Sequence, residues 1–288
     1  ERRQKMQILR DQLTQNDFRF LPLMLTDSLN PAFNGNTDWQ DVFYQAGKVN
    51  STDLSVSGGA GSTLYRLSGS LYDEQGIIKA TGFTRYTGRL NLSTKAVNER
   101  LTINPIVSYA YTGRDRGNGS NNSPISLSAG SMPSSFFNLS ESKKQFMLGQ
   151  YDTNLDVNED SKFDINFNLG FDIIDGLRFT SSSAYTHNVS NRIYNRPSEL
   201  RNNEGNYSYA YGYNGSQWRI SNLLTYYKQL KDHTFDVLLG QEVESNHFKT
   251  VNASGRYGVS DQIQVVNGFL QDYIGAGSDL QRWSQLSY

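Results

Sequence analysis

The sequence predicts an all-β protein, a transmembrane antiparallel β-barrel of which about eight strands lie in this chain. Three observations predict this class. Segments of about ten residues alternate apolar and polar side chains, short and long connections follow one another in turn, and aromatic residues make up 12% of the chain. A strand with hydrocarbon on one side and water on the other alternates in this way.

The clearest strand lies between Phe163 and Asp172. Its odd-numbered residues are apolar and its even-numbered residues are polar or glycine, so the two sets project to opposite faces of a strand. A further strand begins near Trp283. The same alternation predicts other strands at 53–58, 65–72, 85–92, 101–111, 177–186, 217–227 and 233–242.

The connections between these strands are sorted by length. The short ones fall at 58–63, 93–100, 173–176 and 228–232, and the long ones at 73–82, 112–162, 187–216 and 243–282. Short and long connections alternate, so all short turns lie at one end of the sheet. Outer-membrane barrels have short periplasmic turns and long extracellular loops, whereas a sandwich with Greek-key links does not sort its loops by length.

Composition excludes several classes of protein. A net charge of −1 argues against a nucleic-acid surface, which is normally basic. The mean hydropathy of −0.60 and the longest apolar run, Phe20–Leu25, argue against a bundle of membrane-spanning helices. The chain has no cysteine, which excludes disulfides and cysteine-based metal or nucleophile chemistry.

The two ends of the chain predict that it is a piece of a larger barrel. The first fourteen residues are charged where a signal peptide would be apolar, and they have the pattern of a short helix. The following stretch is loop-like and is broken by Pro22 and Pro31. The strand that begins near Trp283 stops without a turn, and a closed barrel does not end on an unpaired strand.

An ordered set of motifs over residues 36–92 closely resembles the opening of the barrel in SusC/RagA-type TonB-linked outer-membrane transporters. The motifs occur in the order that this family has, with similar gaps between them. They are Asn36–Phe43, Leu54–Gly59, Tyr65–Tyr72, Gln75–Lys79, Thr81–Tyr86 and Arg89–Asn91. Trp218, Thr225–Tyr226 and Phe235–Gly240 resemble the family more loosely.

The resemblance implies a 22-stranded barrel in the bacterial outer membrane, filled by a plug, driven by the TonB complex and covered by a SusD-like surface lipoprotein. Such transporters import glycans or oligopeptides in Bacteroidetes-type bacteria. Residues 1–35 would then link toward a plug domain, and residues 36–288 would form a partial barrel in contact with outer-membrane lipid. A carboxypeptidase-like extension, a TonB box, a plug and a C-terminal strand with a final aromatic residue are not found in this sequence.

Two groups of residues are candidates for contact with substrate. Aromatic side chains crowd a segment rich in Asn, Arg and Gly, and their faces can stack on sugar rings. Tyr207, Tyr209, Tyr211, Tyr213 and Trp218, together with Tyr194, form this group, although an aromatic girdle and a strand end explain it as well. Arg66, Arg85 and Arg89 would face the lumen, where they contact the plug, steer an anionic substrate or are simply solvated.

One acidic run has some features of a calcium site. Asp156, Asn158 and Asp160 have the spacing that starts a calcium loop, but Ser161 stands where the loop needs glycine, and Phe167 where it needs glutamate. A solvated acidic loop at 152–164 is the alternative. No other cofactor is predicted.

No catalytic constellation is found in the sequence. His187, His233 and His247 lie apart along the sequence without metal-ligand spacing, and the nucleophile-elbow, phosphate-loop and dinucleotide-binding patterns are absent, so the protein is predicted not to be an enzyme. The function predicted first is transport by a TonB-dependent importer, with glycan favoured over peptide. A passive porin or structural barrel, and a soluble all-β carbohydrate-binding or hydrolytic domain, are the alternatives.

Overall fold

The computed structural model describes Asp38, Asp41 and residues 43–116, 155–198 and 205–288. Within these residues the chain forms one sheet of nine strands, each paired antiparallel with its neighbours in the sequence. The strands are β1 (Lys48–Ala60), β2 (Thr63–Gln75), β3 (Thr81–Ala96), β4 (Leu101–Arg116), β5 (Leu155–Ile174), β6 (Leu177–Arg196), β7 (Tyr207–Leu230), β8 (His233–Arg256) and β9 (Ile274–Ser287). The part of the chain that the structure describes contains no helix long and apolar enough to cross a membrane.

The antiparallel strands predicted from alternation are confirmed, and most of them run farther than predicted. β7 and β8 are each 24 residues long, and β9 begins at Ile274 rather than near Trp283. The connections predicted at 187–216 and 243–282 are correspondingly shorter, at 197–206 and 257–273. Alternation ends where both faces of a strand meet water, so it marks the apolar part of each strand and not its full length. The predicted segment 1–35 and most of the predicted loop 112–162 lie outside the described residues.

The register of the sheet gathers the alternating residues onto two common faces. One cross-strand row joins Val56, Leu67, Leu90, Val107, Ile165, Tyr185 and Trp218 across seven strands. We call the side that carries this row the apolar face. The opposite side, which carries Arg66, Arg89 and Asp164, is the polar face. Among the nine described strands only one register shift occurs, between Asp172 and Ile174, so each face stays continuous across the sheet.

The apolar face is uncovered in the described chain. Leu54 is 74% exposed, Leu67 51% and Phe235 51%. Only Phe43, Tyr194 and Phe269 are buried hydrophobic residues among those described. A soluble protein buries its apolar side chains in a core, whereas a sheet in a bilayer turns them toward lipid, so the burial pattern favours a membrane sheet.

A small packed region lies at the end of the sheet where the long connections meet. The β8–β9 connection carries two 3-10 helices, Val266–Gly268 and Gln271–Tyr273, and it folds back toward the start of β7. The Oγ of Ser208 donates a hydrogen bond to the carbonyl oxygen of Gln264 at 3.2 Å, and the Nδ2 of Asn206 donates to that of Ser260 at 3.0 Å. These bonds fix the β8–β9 connection against β7.

All four short turns lie at the opposite end of the sheet. They fall at 61–62, 97–100, 175–176 and 231–232, each inside the segment predicted for it. Gly61 and Gly176 adopt positive φ angles of 58° and 82°, which glycine reaches without the steric cost that a Cβ atom brings. The two glycines differ in their surroundings, since a Cβ at Gly176 would approach the carbonyl oxygen of Tyr227 to 2.2 Å and one at Gly61 would meet nothing within 4 Å.

We expect Gly176→Ala to destabilise the folded protein more than Gly61→Ala does. Gly61→Ala adds only the left-handed backbone strain, about 1 kcal/mol. Gly176→Ala adds the same strain and a collision with Tyr227, whose amide donates to the carbonyl of residue 176 at 2.8 Å, so its cost should exceed about 2 kcal/mol. Urea unfolding of both variants in detergent measures the difference, and equal midpoints would contradict the described turn.

Candidate functional site on the polar face

The structure separates the predicted aromatic group into two sets. Tyr207, Tyr209, Tyr211 and Tyr213 alternate along β7 on the polar face, the face of Arg66, Arg85 and Arg89. Trp218 lies on the apolar face, where it pairs with Tyr185. An odd and an even position on one strand point to opposite sides of the sheet, so Trp218 cannot join the four tyrosines in one site. We call Tyr194 and these four tyrosines the tyrosine cluster.

A buried ion pair lies on the same face beside the tyrosine cluster. The Nε and Nη2 atoms of Arg192 donate to the two carboxylate oxygens of Asp156 at 2.8 and 2.9 Å. The Asp156 side chain is 0% exposed and that of Arg192 is 26% exposed. Two parallel hydrogen bonds fix the guanidinium plane, so β5 and β6 are locked together at this level. Both residues lie nearer the long connections than the apolar row does. The hydrogen bonds that Arg192 donates to Asp156 raise the pKa of Arg192 above its ordinary value, against the opposing effect of burial.

Arginine side chains and tyrosine rings are packed together around this ion pair. The guanidinium of Arg192 lies 5.9 Å from the ring centroid of Tyr194, and that of Arg256 lies 5.9 Å from the ring of Tyr207. The rings of Tyr194 and Tyr207 are themselves 5.9 Å apart. Burial raises the pKa of Tyr209, which lies nine positions before Trp218 on β7 and outside the apolar part of the strand, so this phenol stays protonated at neutral pH. The result is a fixed surface of aromatic faces and hydrogen-bond donors.

Two grooves run along the polar face. The one beside Tyr213 has a volume of about 370 Å³ and is lined by Arg114, Asp160, Lys162 and Asn188. The second groove, nearer the short turns, has a volume of about 460 Å³. Its charged lining residues are Asp53, Arg66, Arg89 and Asp164. Both grooves mix charges of the two signs with hydroxyl and amide groups, which suits a polar, hydrogen-bonding ligand more than an apolar one.

The three arginines predicted to share one face do so, but they do not form one site. Arg66 and Arg89 line the groove nearer the short turns. The Nε of Arg89 donates to the side-chain oxygen of Asn91 at 3.0 Å. Arg85 lies instead over the ring of Tyr72, 5.7 Å from its centroid, at the other end of β3.

The residues predicted as calcium ligands lie on strand β5 rather than in a loop. Both oxygens of Asp156 are engaged by Arg192, and the Nδ2 of Asn158 donates to Asp160 at 2.7 Å. Alternate residues of a strand lie along a line, whereas a calcium loop wraps its ligands around the ion. Across the described ranges, no group of three or more metal-ligating side chains comes together.

Arg192 and Arg256 are site residues that the sequence patterns do not single out. Their positions on the polar face follow only from the register of β5 with β6 and of β7 with β8. Sequence alternation ends before either residue, since β6 and β8 extend well beyond their apolar parts. Only the pairing of the strands brings them next to Asp156 and Tyr207.

Comparison with known proteins by sequence finds TonB-dependent receptors, while no family model matches the chain. The chain is 23% identical over 255 residues to TonB-dependent receptor P3 of Formosa agariphila. The aligned region covers 81% of this chain and 25% of that protein. It is 31% identical over 96 residues to TonB-dependent receptor SusC of Bacteroides thetaiotaomicron. That aligned region covers 33% of this chain and 10% of that protein. The chain thus spans about a quarter or less of the length of these relatives.

Comparison by structure finds the same fold in transporters. The RagAB peptide importer in its closed-closed state matches with a TM-score of 0.71 at 18% identity, over 88% of this chain and 31% of that one. The unliganded ferric citrate transporter FecA matches with a TM-score of 0.52 at 12% identity, over 84% of this chain and 33% of that one. The predicted fold, an antiparallel barrel of which this chain carries a part, is confirmed. Together with the motifs of residues 36–92, these matches are consistent with a part of the barrel of a SusC/RagA-type TonB-dependent receptor.

Proposed function

We propose that this chain forms part of the wall of a TonB-dependent importer in the bacterial outer membrane. The importer takes up an oligomeric nutrient, a glycan or an oligopeptide, together with a SusD-like surface lipoprotein. One observation carries the proposal. The sheet has a continuous apolar face, and its opposite face carries polar grooves and the tyrosine cluster. Lipid would cover the first face, and the transport lumen would lie against the second.

Within this proposal, the tyrosine cluster favours a glycan as the substrate. Arg192 and Arg256 lie over the rings of Tyr194 and Tyr207, and Asn188 lies in the groove beside Tyr213. Flat aromatic faces can pack against sugar rings while amide and guanidinium groups bond the hydroxyls. The likeness of fold to the RagAB peptide importer keeps an oligopeptide as the second candidate.

The experiment that tests the proposal is a pull-down of the full-length parent protein from detergent-solubilised outer membranes. Mass spectrometry then identifies the proteins and small molecules that copurify. Recovery of a SusD-like lipoprotein supports the importer, and bound oligosaccharide or peptide identifies the substrate class. A barrel recovered without such a partner, and uptake that persists after deletion of TonB, would favour a passive porin or structural barrel instead.

We expect Tyr211→Ala to weaken binding of the copurified ligand by about fivefold or more, because truncating an aromatic contact residue costs about 1 kcal/mol or more. Trp218→Ala is the matched control, since Trp218 lies on the same strand but on the apolar face. Isothermal titration with the purified full-length protein measures both affinities. Equal losses in the two variants, or no loss in Tyr211→Ala, would contradict a substrate role for the tyrosine cluster.

A further inference from the structure

Four basic side chains lie close together on the apolar face of strands β6, β8 and β9. The sheet register places His187, Ser216, His247 and Arg282 in one cross-strand row. Lys249 lies in the next row, directly opposite Leu280 of β9. Neighbouring strands are about 4.8 Å apart, so the row from β6 to β9 spans about 14 Å. We call His187, His247, Lys249 and Arg282 the basic row.

The basic row lies immediately beyond the aromatic residues of the apolar face. Tyr185 and Trp218 pair with each other, and His187 and Ser216 form the next pair on this face, toward the long connections. Tyrosine and tryptophan rings gather at the level of lipid headgroups in membrane barrels. His187 and Ser216, two positions farther along their strands, therefore lie beside the headgroups, on the outer side of the aromatic rings.

No carboxylate of strands β6–β9 shares this face with the basic row. The acidic residues of these four strands are Asp236, Glu242, Glu244 and Asp279, and the register places all of them on the polar face. On β5 the apolar face carries Glu159, three strands from Lys249, and its carboxylate accepts a hydrogen bond from the Tyr111 hydroxyl at 2.8 Å. Lys249 and Arg282 are like charges placed diagonally across β8 and β9, with no acidic residue of strands β6–β9 on their face, which is unfavourable unless an anion binds there.

Two atoms of the basic row lack a hydrogen-bond partner. The Nδ1 of His187 and the Nε2 of His247 are buried and make no hydrogen bond. A neutral imidazole carries one N–H donor and a charged imidazole carries two, so each ring can offer a donor to an anionic oxygen. Buried polar atoms are usually paired, so these two nitrogens lie where a bound group can complete the bonding.

We propose that the basic row binds the phosphate groups of a lipid headgroup in the leaflet on the side of the long connections. Arg282 and Lys249 would supply the fixed charges, and the two histidines would supply N–H donors. Because the row spans about 14 Å, it suits a headgroup with more than one phosphate, such as a phosphorylated glycolipid, better than a single phosphate ion. This inference rests on the proposed function, since it requires the apolar face to lie in the membrane.

The test uses the full-length protein purified from outer membranes in detergent. The variant Lys249→Gln/Arg282→Gln removes both fixed charges of the basic row. The matched control, Lys228→Gln/Lys231→Gln, removes two charges at the short-turn end of the same sheet. Native mass spectrometry measures retention of bisphosphorylated lipid A, of its dephosphorylated form and of inorganic phosphate by each protein.

We expect Lys249→Gln/Arg282→Gln to bind bisphosphorylated lipid A about tenfold more weakly, because the ion pairs of Lys249 and Arg282 with the lipid phosphates are lost. The control should bind it as the unmodified protein does, and dephosphorylated lipid A should bind weakly to all three. Equal retention by both variants, or tight binding of inorganic phosphate alone, would overturn the lipid site. If the double variant does not accumulate, Arg282→Gln alone on the exposed β9 strand gives the same comparison. A parent protein absent from the outer-membrane fraction would instead overturn the proposed function.

Discussion

Replacing Asp156 with alanine should lower the free energy of unfolding by about 3–5 kcal/mol. The side chain of Asp156 is fully buried and binds Arg192 through two hydrogen bonds, at 2.8 and 2.9 Å. The variant leaves a half-buried guanidinium without its carboxylate, and the cost of that unpaired charge exceeds the net value of the pair itself. Urea unfolding of the full-length protein in detergent measures the change.

Two control variants separate this effect from a general loss of charge. Glu99→Gln breaks the ion pair of Glu99 with Lys95, whose side chains are 77% and 54% exposed, and should cost less than about 0.5 kcal/mol. The combined variant Asp156→Leu/Arg192→Met removes both charges of the buried pair and should recover much of the loss. An Asp156→Ala protein as stable as the Glu99→Gln protein would show that the ion pair does not form.

The same ion pair links stability to the tyrosine cluster. Arg192 touches Asp156 on one side and the Tyr194 ring on the other. Loss of Asp156 should therefore let the guanidinium move and loosen the rings of Tyr194 and Tyr207, which are 5.9 Å apart. If the tyrosine cluster binds substrate, Asp156→Ala should also weaken ligand binding, although Asp156 itself is covered.

Sequence alternation predicted the apolar parts of the strands well. The segment 163–172 forms most of the second half of β5, and its five apolar residues all lie on one face. All four short turns fell where predicted, because a strand of alternating residues can reverse only where the alternation stops. These features depend on local sequence, which a single chain displays directly.

The ends of the strands and the composition of the site could not be predicted in the same way. β7 begins at Tyr207, ten residues before the segment predicted for it, because beyond the bilayer both its faces meet polar surroundings. The pairing of Asp156 with Arg192 joins residues 36 positions apart, which no local pattern reveals. Composition groups Trp218 with Tyr213, but the two residues lie on opposite faces because one is at an even and the other at an odd position of β7.

The largest effect of a single surface substitution should come from a charge at the centre of the apolar face. Phe167 lies midway along the alternating part of β5 and is 38% exposed in the described chain. If lipid covers this face, Phe167→Arg should lower the free energy of unfolding by about 2–4 kcal/mol because of the charge, in addition to the loss of the aromatic ring. Folding of the full-length protein into lipid vesicles, followed by urea unfolding, measures this change.

The neighbouring residue provides the matched control. Asn166 precedes Phe167 on the same strand and points to the polar face, so Asn166→Arg should change stability by less than about 1 kcal/mol. Phe167→Leu separates the loss of the ring from the addition of a charge. If Asn166→Arg is the more destabilising of the two arginine variants, the polar face meets lipid, and the tyrosine cluster and basic row would exchange surroundings. If both arginine variants are tolerated, neither face lies in a bilayer, and the result would favour a soluble all-β domain over a membrane barrel.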